Sequence, residues 1–341
     1  MDQITRTGVD LVELTRGLVD IDSTTGREVE AGRWLATYLR ELGLRVTEPP
    51  VDDQRFNIFA TSAEPAVVVL STHFDCVPPF FPSRVEGGRI YGRGACDAKG
   101  ILAAQVAAAD QLRRDGEERV GLLFVVGEER GSDGARAAQA LASGSRYLIN
   151  GEPTDNRLGV ATRGVLRVSL KAAGRAAHSS YPELGESAIE KLVTALVALR
   201  AIDLPDDPVL GRTHYTVGVI AGGVAPNVVP PSAEAEVVFR TVGSPTNLRS
   251  SLARLEPLVR VEELLEVPPV TLARVPGFET AAFPYTTDIP FLSAWGTPLL
   301  FGPGSVTVAH TLEERIEIED LHHAVEAYAR LARHLLATPT A

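Results

Sequence analysis

A chain of 341 residues with 45% hydrophobic content is long enough for about two domains with substantial cores. Its formal net charge of −11 argues against nucleic acid or an anionic membrane surface as a partner and makes cations the more natural guest. No apolar run approaches the ~18 residues of a membrane span, and Met1-Asp2-Gln3-Ile4-Thr5-Arg6 lacks a secretory pattern, so a cytoplasmic protein is expected. In that compartment Cys76 and Cys96 read as small core-lining thiols rather than a disulfide.

The spacing of Leu11, Leu14 and Leu18 predicts an amphipathic helix over residues 10–19, which Asp22-Ser23-Thr24-Thr25-Gly26 interrupts. A second helix follows over 30–40, with Gly43 as its C-terminal stop. Strands are expected near 45–47, 57–60 and 67–70. The last is a short β-branched run typical of a buried strand, and it ends in Ser71-Thr72-His73-Phe74-Asp75. The stretch from Ile90 to Gly100 is polar and tight, and an Ala-rich helix begins directly after it. Asp97 therefore lies in a Gly-flanked turn entering a helix, where a carboxylate either caps or is aimed at a cation. A buried strand at 120–126 ends in Gly127-Glu128-Glu129, a helix covers 135–141, and a strand at 147–149 ends in Asn150-Gly151-Glu152-Pro153.

Beyond Thr162 the pattern changes. A strand at 164–173, a helix at 187–200, strands at 213–221 and 234–241, a helix at 248–258 and a strand at 270–274 give the order β-α-β-β-α-β, a ferredoxin-like split unit. The βα alternation of a mixed-sheet α/β domain then resumes. A helix near 289–295 is followed by a strand at 299–301, the segments Gly302-Pro303-Gly304 and Ala309-His310-Thr311, and a last helix over 319–336. The expected organisation is a catalytic domain at 1–162 and 275–341, with an insertion at 163–274.

Taken alone, each polar group has a plain reading. Asp97 could be a cap, His73 a satisfied core histidine, Glu128-Glu129-Arg130 a solvated charge run and His310 a loop residue. Placement is more telling, because sites in open α/β sheets form outside the carboxyl ends of strands. A histidine, an aspartate, a glutamate pair, a further glutamate and a second histidine all converge on such an edge. His214, His322, His323 and His334 are read as surface or packing residues.

The ordered set Thr72-His73-Phe74-Asp75, Gly92-Arg93-Gly94-Ala95-Cys96-Asp97-Ala98-Lys99-Gly100, Gly127-Glu128-Glu129, Gly151-Glu152-Pro153-Thr154 and Gly302-Pro303-Gly304 with Ala309-His310-Thr311 resembles the co-catalytic zinc deacylases and peptidases. That family contains acetylornithine deacetylase, succinyl-diaminopimelate desuccinylase and aminoacylase, and the resemblance spans nearly the whole chain. It implies a zinc-exopeptidase-like catalytic domain whose inserted domain serves as lid and dimer contact. It also implies two divalent metal ions, zinc first, with cobalt or manganese as substitutes. Asp97 would bridge the two ions, His73 and Glu152 would complete one, and Glu129 and His310 the other. Asp75 would accept the second imidazole N–H of His73 and fix its tautomer. Glu128 would be the general base acting on a metal-bound water.

In the insertion, the stretch from Gly174 to Ala188 resembles the family's lid motif, implying that His178 polarises the scissile carbonyl in the partner subunit of a homodimer. Asn227 would contact substrate, and Arg240 would hold its carboxylate. The substrate expected is a small N-acyl amino acid, N2-acetylornithine before others, giving ornithine and acetate in arginine biosynthesis. A hydrolase acting on an amino-group carrier protein and a succinyl-diaminopimelate desuccinylase are the alternatives, and a non-catalytic amino-acid binder is the reading from a different class. The −11 charge favours a cationic side chain over an acidic carrier or a succinyl group.

Overall fold

The computed structural model describes residues 8–142 and 144–338, so the reading of residues 1–6 falls outside it. Two compact units emerge. One takes the chain up to Val160, Leu272–Ala281 and everything from Thr287; the other takes Ala161–Thr271 and Ala282–Thr286.

The principal elements, in chain order, are α1 (Leu11–Val19), α2 (Val29–Glu41), β1 (Arg45–Thr47), β2 (Ile58–Thr61), β3 (Val68–His73), β4 (Arg84–Glu86), β5 (Arg89–Tyr91), α3 (Lys99–Arg114), β6 (Val120–Val125), α4 (Asp133–Ala138) and β7 (Tyr147–Asn150). The inserted unit then contributes β8 (Gly164–Ala173), α5 (Ala188–Leu199), β9 (His214–Gly222), β10 (Ser232–Thr241), α6 (Thr246–Ala253) and β11 (Arg260–Val267). The chain closes with β12 (Thr297–Leu300), β13 (Arg315–Glu317) and α7 (Ile318–Ala337).

The first unit is built on a six-stranded mixed sheet of order β1-β2-β6-β3-β7-β12. β6, β3, β7 and β12 run parallel, so His73 pairs with Val125, and Asn150 with Leu300. Their carboxyl ends therefore open on one edge. Every residue of β3 and β6 is buried, as expected of strands covered on both faces. The Ala-rich α3 lies against α7, where Ala103, Ala104 and Ala108 are fully buried and let the helices approach closely. At α1, Asp10 caps by accepting from the amides of Val12 and Glu13. A small second sheet, β13-β5-β4, sets Arg315 opposite Tyr91 and so brings the segment after His310 beside the turn that carries Asp97.

The inserted unit is a four-stranded antiparallel sheet, β9-β10-β8-β11, whose connectivity with α5 and α6 is the expected β-α-β-β-α-β. Its own core joins Leu166, Val168, Leu192, Val237, Phe239, Leu248 and Leu252.

Three expectations need correction. The closing strand of the insertion is β11 at Arg260–Val267, not residues 270–274; Val270–Thr271 instead pairs with Thr162 and Ala161 in a separate small sheet. The helix expected at 248–258 is only Thr246–Ala253. Residues 289–295 form two 3₁₀ turns, Ile289–Phe291 and Ser293–Trp295, because the backbone leaves the helical region at Leu292, at φ −115° and ψ 24°, and Gly296, at φ 107°, ends the second.

Candidate metal centre

His73 is the last residue of β3, Glu128 and Glu129 form a 3₁₀ turn after β6, and Glu152 lies two residues past β7. Asp97 lies in the turn before α3, and His310 in the loop between β12 and β13. All belong to the first unit. The turn is tight because Gly94, at φ 87°, packs so closely that a β-carbon there would lie 2.6 Å from the Cys76 sulfur. Gly302 is equally confined, with a β-carbon placed 2.4 Å from the Glu152 carbonyl oxygen.

Two donor groups share Asp97. His73, Asp97 and Glu152 form a wholly buried one, whereas Asp97, Glu129 and His310 form one that reaches the surface. Within each group the ligand atoms lie within 4.8 Å of one another. Asp97 Oδ1 is 3.0 Å from His73 Nε2, and Oδ2 is 3.3 Å from His310 Nε2. His310 Nε2 also lies 2.9 Å from Glu129 Oε1.

The electrostatics are those of a site short of positive charge. Burial alone would raise Asp97, yet hydrogen bonds from His310 and His73 hold its carboxyl far below the usual carboxylate range. Desolvation pushes Glu152 well up, and desolvation together with the neighbouring Glu152 does the same to Glu128. Hydrogen bonds to Asp97 and Glu129 push His310 up to about 10. Glu152 Oε1 is buried with no hydrogen-bond partner among the described residues. An orphaned buried oxygen among crowded carboxylates calls for a cation, and imidazole with carboxylate is a donor set that zinc accepts. The residues present fit a pair of divalent ions.

Asp75 is fully buried two residues after His73. Its carboxylate oxygen is 3.4 Å from His73 Nδ1, while its own backbone oxygen is nearer, at 3.0 Å. The same carboxylate also accepts from the Glu128 amide at 3.0 Å, the Glu129 amide at 3.2 Å and the Thr25 hydroxyl at 2.8 Å. It thus ties the His73 strand to the Glu128-Glu129 turn.

A family model for peptidase family M20/M25/M40 matches residues 69–334. The chain belongs to this peptidase family. Over 96% of its length the M20 chain is 37% identical to a peptidase M20 domain-containing protein of Schizosaccharomyces pombe, covering 86% of that protein. Over 93% it is 40% identical to a probable carboxypeptidase of Aspergillus terreus, covering 84% of it. Its fold matches a dinuclear metal-binding peptidase of the M20 family from Bacillus subtilis with a TM-score of 0.74 at 18% identity, covering 96% of this chain and 98% of that one. The chain is accordingly a hydrolase of the M20 peptidase family, with two donor groups that could each hold a metal ion.

The residues expected in the insertion are placed within the second unit. His178 and Asn227 are exposed on adjoining loops, with a bridge between His178 and Val228 and the Ser179 amide donating to the Asn227 carbonyl at 3.0 Å. Arg240, half-buried on β10 opposite His214, makes no hydrogen bond or ion pair among the described residues, and burial lowers its pKa. Sequence reasoning missed three buried groups of the M20 chain: Arg93, Glu314 and Asp288. Arg93 and Glu314 pair at 2.5 Å behind the Asp97 turn. Asp288, pushed up to about 6 by burial, adds negative charge felt by Glu128 and Glu152. Arg93 lies inside the Gly92–Gly100 motif, whereas Glu314 stands between Glu313 and Arg315 and Asp288 follows Thr286-Thr287, with no local pattern to mark either. No helix among the described residues is long and apolar enough to cross a membrane.

Proposed function

We propose that the chain releases a free α-amino acid from a short N-acyl or peptidyl amide. The observation that carries this reading is the pair of donor groups joined through Asp97, with Glu128 beside them. His73, Asp97 and Glu152 are assigned to one ion, and Asp97, Glu129 and His310 to the other. Zinc is the favoured metal, with cobalt and manganese able to take such ligands. When bound, the ions supply Lewis-acid polarisation of the amide carbonyl and acidify water.

The chain's own groups do the rest. Glu128, a carboxyl held above its ordinary range, is suited to take a proton from the attacking water and give it to the leaving nitrogen. Water adds to the amide carbon, the C–N bond breaks, and the proton leaves on the amine. Asp75 holds the Glu128 amide and the His73 ring, so base and imidazole keep a fixed relation. From the inserted unit, the exposed His178 is assigned to stabilise the carbonyl oxygen as charge develops there. Asn227 is assigned as a hydrogen-bonding contact, and Arg240, whose side chain makes no ion pair among the described residues, as the clamp for a substrate carboxylate.

The names of the relatives favour a dipeptide or longer acyl group, since carboxypeptidases release C-terminal amino acids. N2-acetylornithine, hence a role in arginine biosynthesis, is the narrower reading, favoured by the −11 charge acting on a cationic side chain. A homodimer in the cytoplasm is part of the proposal. Its support is β9, an edge strand that exposes Val219 and Ile220, with Val193 and Val197 exposed on α5.

Amine release from metal-stripped and zinc-reloaded protein tests the reading. The panel comprises dipeptides with varied C-terminal residues, N-acetyl-ornithine, N-succinyl-diaminopimelate and a γ-glutamyl-lysine mimic. Zinc-dependent release from substrates with a free α-carboxylate is expected. Equal turnover of their amidated forms would remove Arg240 from the scheme, and metal-independent turnover would remove the ions.

A further inference from the structure

We infer that Glu314, paired with Arg93, is a positioning residue that fixes the turn carrying Asp97 and registers it against the segment carrying His310. The inference rests on the assignment of Asp97 and His310 as metal ligands. Glu314 and Arg93 are 0% and 2% exposed. Three backbone amides of the turn converge on Glu314 Oε1, from Gly94 at 2.9 Å, Asp97 at 3.2 Å and Cys96 at 3.3 Å. The other oxygen, Oε2, accepts from Arg93 Nη1 at 2.5 Å. The Gly92 amide donates to the Glu314 carbonyl at 3.1 Å, and Arg93 Nε donates to the Pro79 carbonyl at 3.2 Å.

Such convergence is a nest of backbone donors closed around one carboxylate. A fully buried ion pair is a weak source of stability, because desolvating both charges offsets most of their attraction. What this pair does secure is geometry. Gly94 at φ 87° turns its N–H inward, and the acceptor it meets belongs to a segment far away in sequence. That segment also holds His310, four residues before Glu314 and in the left-handed region at φ 63°. A non-glycine residue stays there only when its surroundings over-determine it. β5 and β13 pair up to Tyr91 and Arg315, so Glu314 and Gly92 meet where the ladder ends and the site begins. One buried carboxylate thereby sets the spacing between Asp97 Oδ2 and His310 Nε2, which must suit a single ion.

The test titrates metal-stripped wild type and Glu314→Gln with Co²⁺, followed by calorimetry and by the visible absorption of the bound ion. Glutamine keeps the shape but cannot serve both Arg93 and the three amides as a carboxylate does. The expected result is two ions in wild type, and in Glu314→Gln a loss of ~10–100-fold in affinity at the Asp97–Glu129–His310 group, the range for removing an outer partner of a ligand. The absorption of that ion should change as well, with a smaller loss at the buried group. Arg93→Lys, which keeps the charge but not the fork, should give a milder version, and it carries the test if Glu314→Gln does not fold. Wild-type affinities and spectrum in the variant, whatever its melting temperature, would overturn the inference. Wild type that takes up no pair of ions would overturn the metal assignment instead.

Discussion

His73 and His310 both face Asp97, yet one is 1% exposed and the other half-exposed. The His73 side stands on β3 and β7 within a fully buried sheet core, and its second nitrogen is met by Asp75. The His310 side hangs on a loop and depends on Glu129 and on the turn held by Glu314. The difference teaches that one half of the site is fixed by the fold, whereas the other is assembled by polar contacts between loops. Loops are where a scaffold can adjust chemistry at little cost to its core.

The largest effect should come from a change that leaves both halves intact. Glu128→Ala removes the proposed base but no donor atom of either group, so turnover should fall ~10²–10⁴-fold while metal content stays at the wild-type value. A parallel loss of metal would show that the residue is a ligand and would break the division of roles. Next, Asp75→Asn should weaken the buried group's ion by ~10–100-fold, because asparagine keeps only one of the two acceptor oxygens and its NH₂ must face either the His73 ring and the Glu128 amide or the Glu129 amide and the Thr25 hydroxyl, all of them donors. Competition with a metal-sensitive dye would measure it. If the exposed group were hurt more, the two halves would be less separate than the burial contrast implies.

Graded chelation sharpens the contrast further. A dilute chelator should remove the ion at the Asp97–Glu129–His310 group first, so activity falls before most of the melting temperature is lost. Full removal should lower the melting temperature by several degrees, since ions present at a hundredfold over Kd stabilise by about 2.7 kcal/mol each. Simultaneous loss of both, followed by atomic emission on chelated samples, would contradict an ordered release. The smallest effect expected at the site is from Ile220→Lys, on the exposed edge strand β9 of the inserted unit. Sedimentation should show a dimer become a monomer, with metal content unchanged.

The half fixed by the fold was also the half legible in the sequence. His73, Glu128 and Glu152 follow apolar runs whose reading as buried parallel strands needs only pattern, and strand ends in such sheets converge on one edge. The loop-built half was legible only through its motifs. Glu314 stands in Glu313-Glu314-Arg315, a run that reads as solvated surface, because nothing local signals that β13 carries it under the Asp97 turn. Similarly, β11 was missed because Arg-Val-Glu-Glu-Leu-Leu-Glu-Val mixes charge into an edge strand that is mostly exposed, and the apolar Val270 nearby drew the assignment. The two 3₁₀ turns at 289–295 carry enough apolar residues to resemble a helix, and nothing in the pattern signals that the backbone leaves the helical region at Leu292. Substrate choice left no comparable pattern, since Arg240 and Asn227 gain a substrate role only through the resemblance and neither position specifies an acyl group or a side chain.

The most direct test of the central claim is zinc content per chain after reloading and exhaustive dialysis, for wild type and for Asp97→Ala. Two ions per chain in wild type and the loss of both tight sites in Asp97→Ala are predicted, because Asp97 alone belongs to both groups. One ion or none in wild type, or two retained without Asp97, would contradict a centre built on that shared carboxylate.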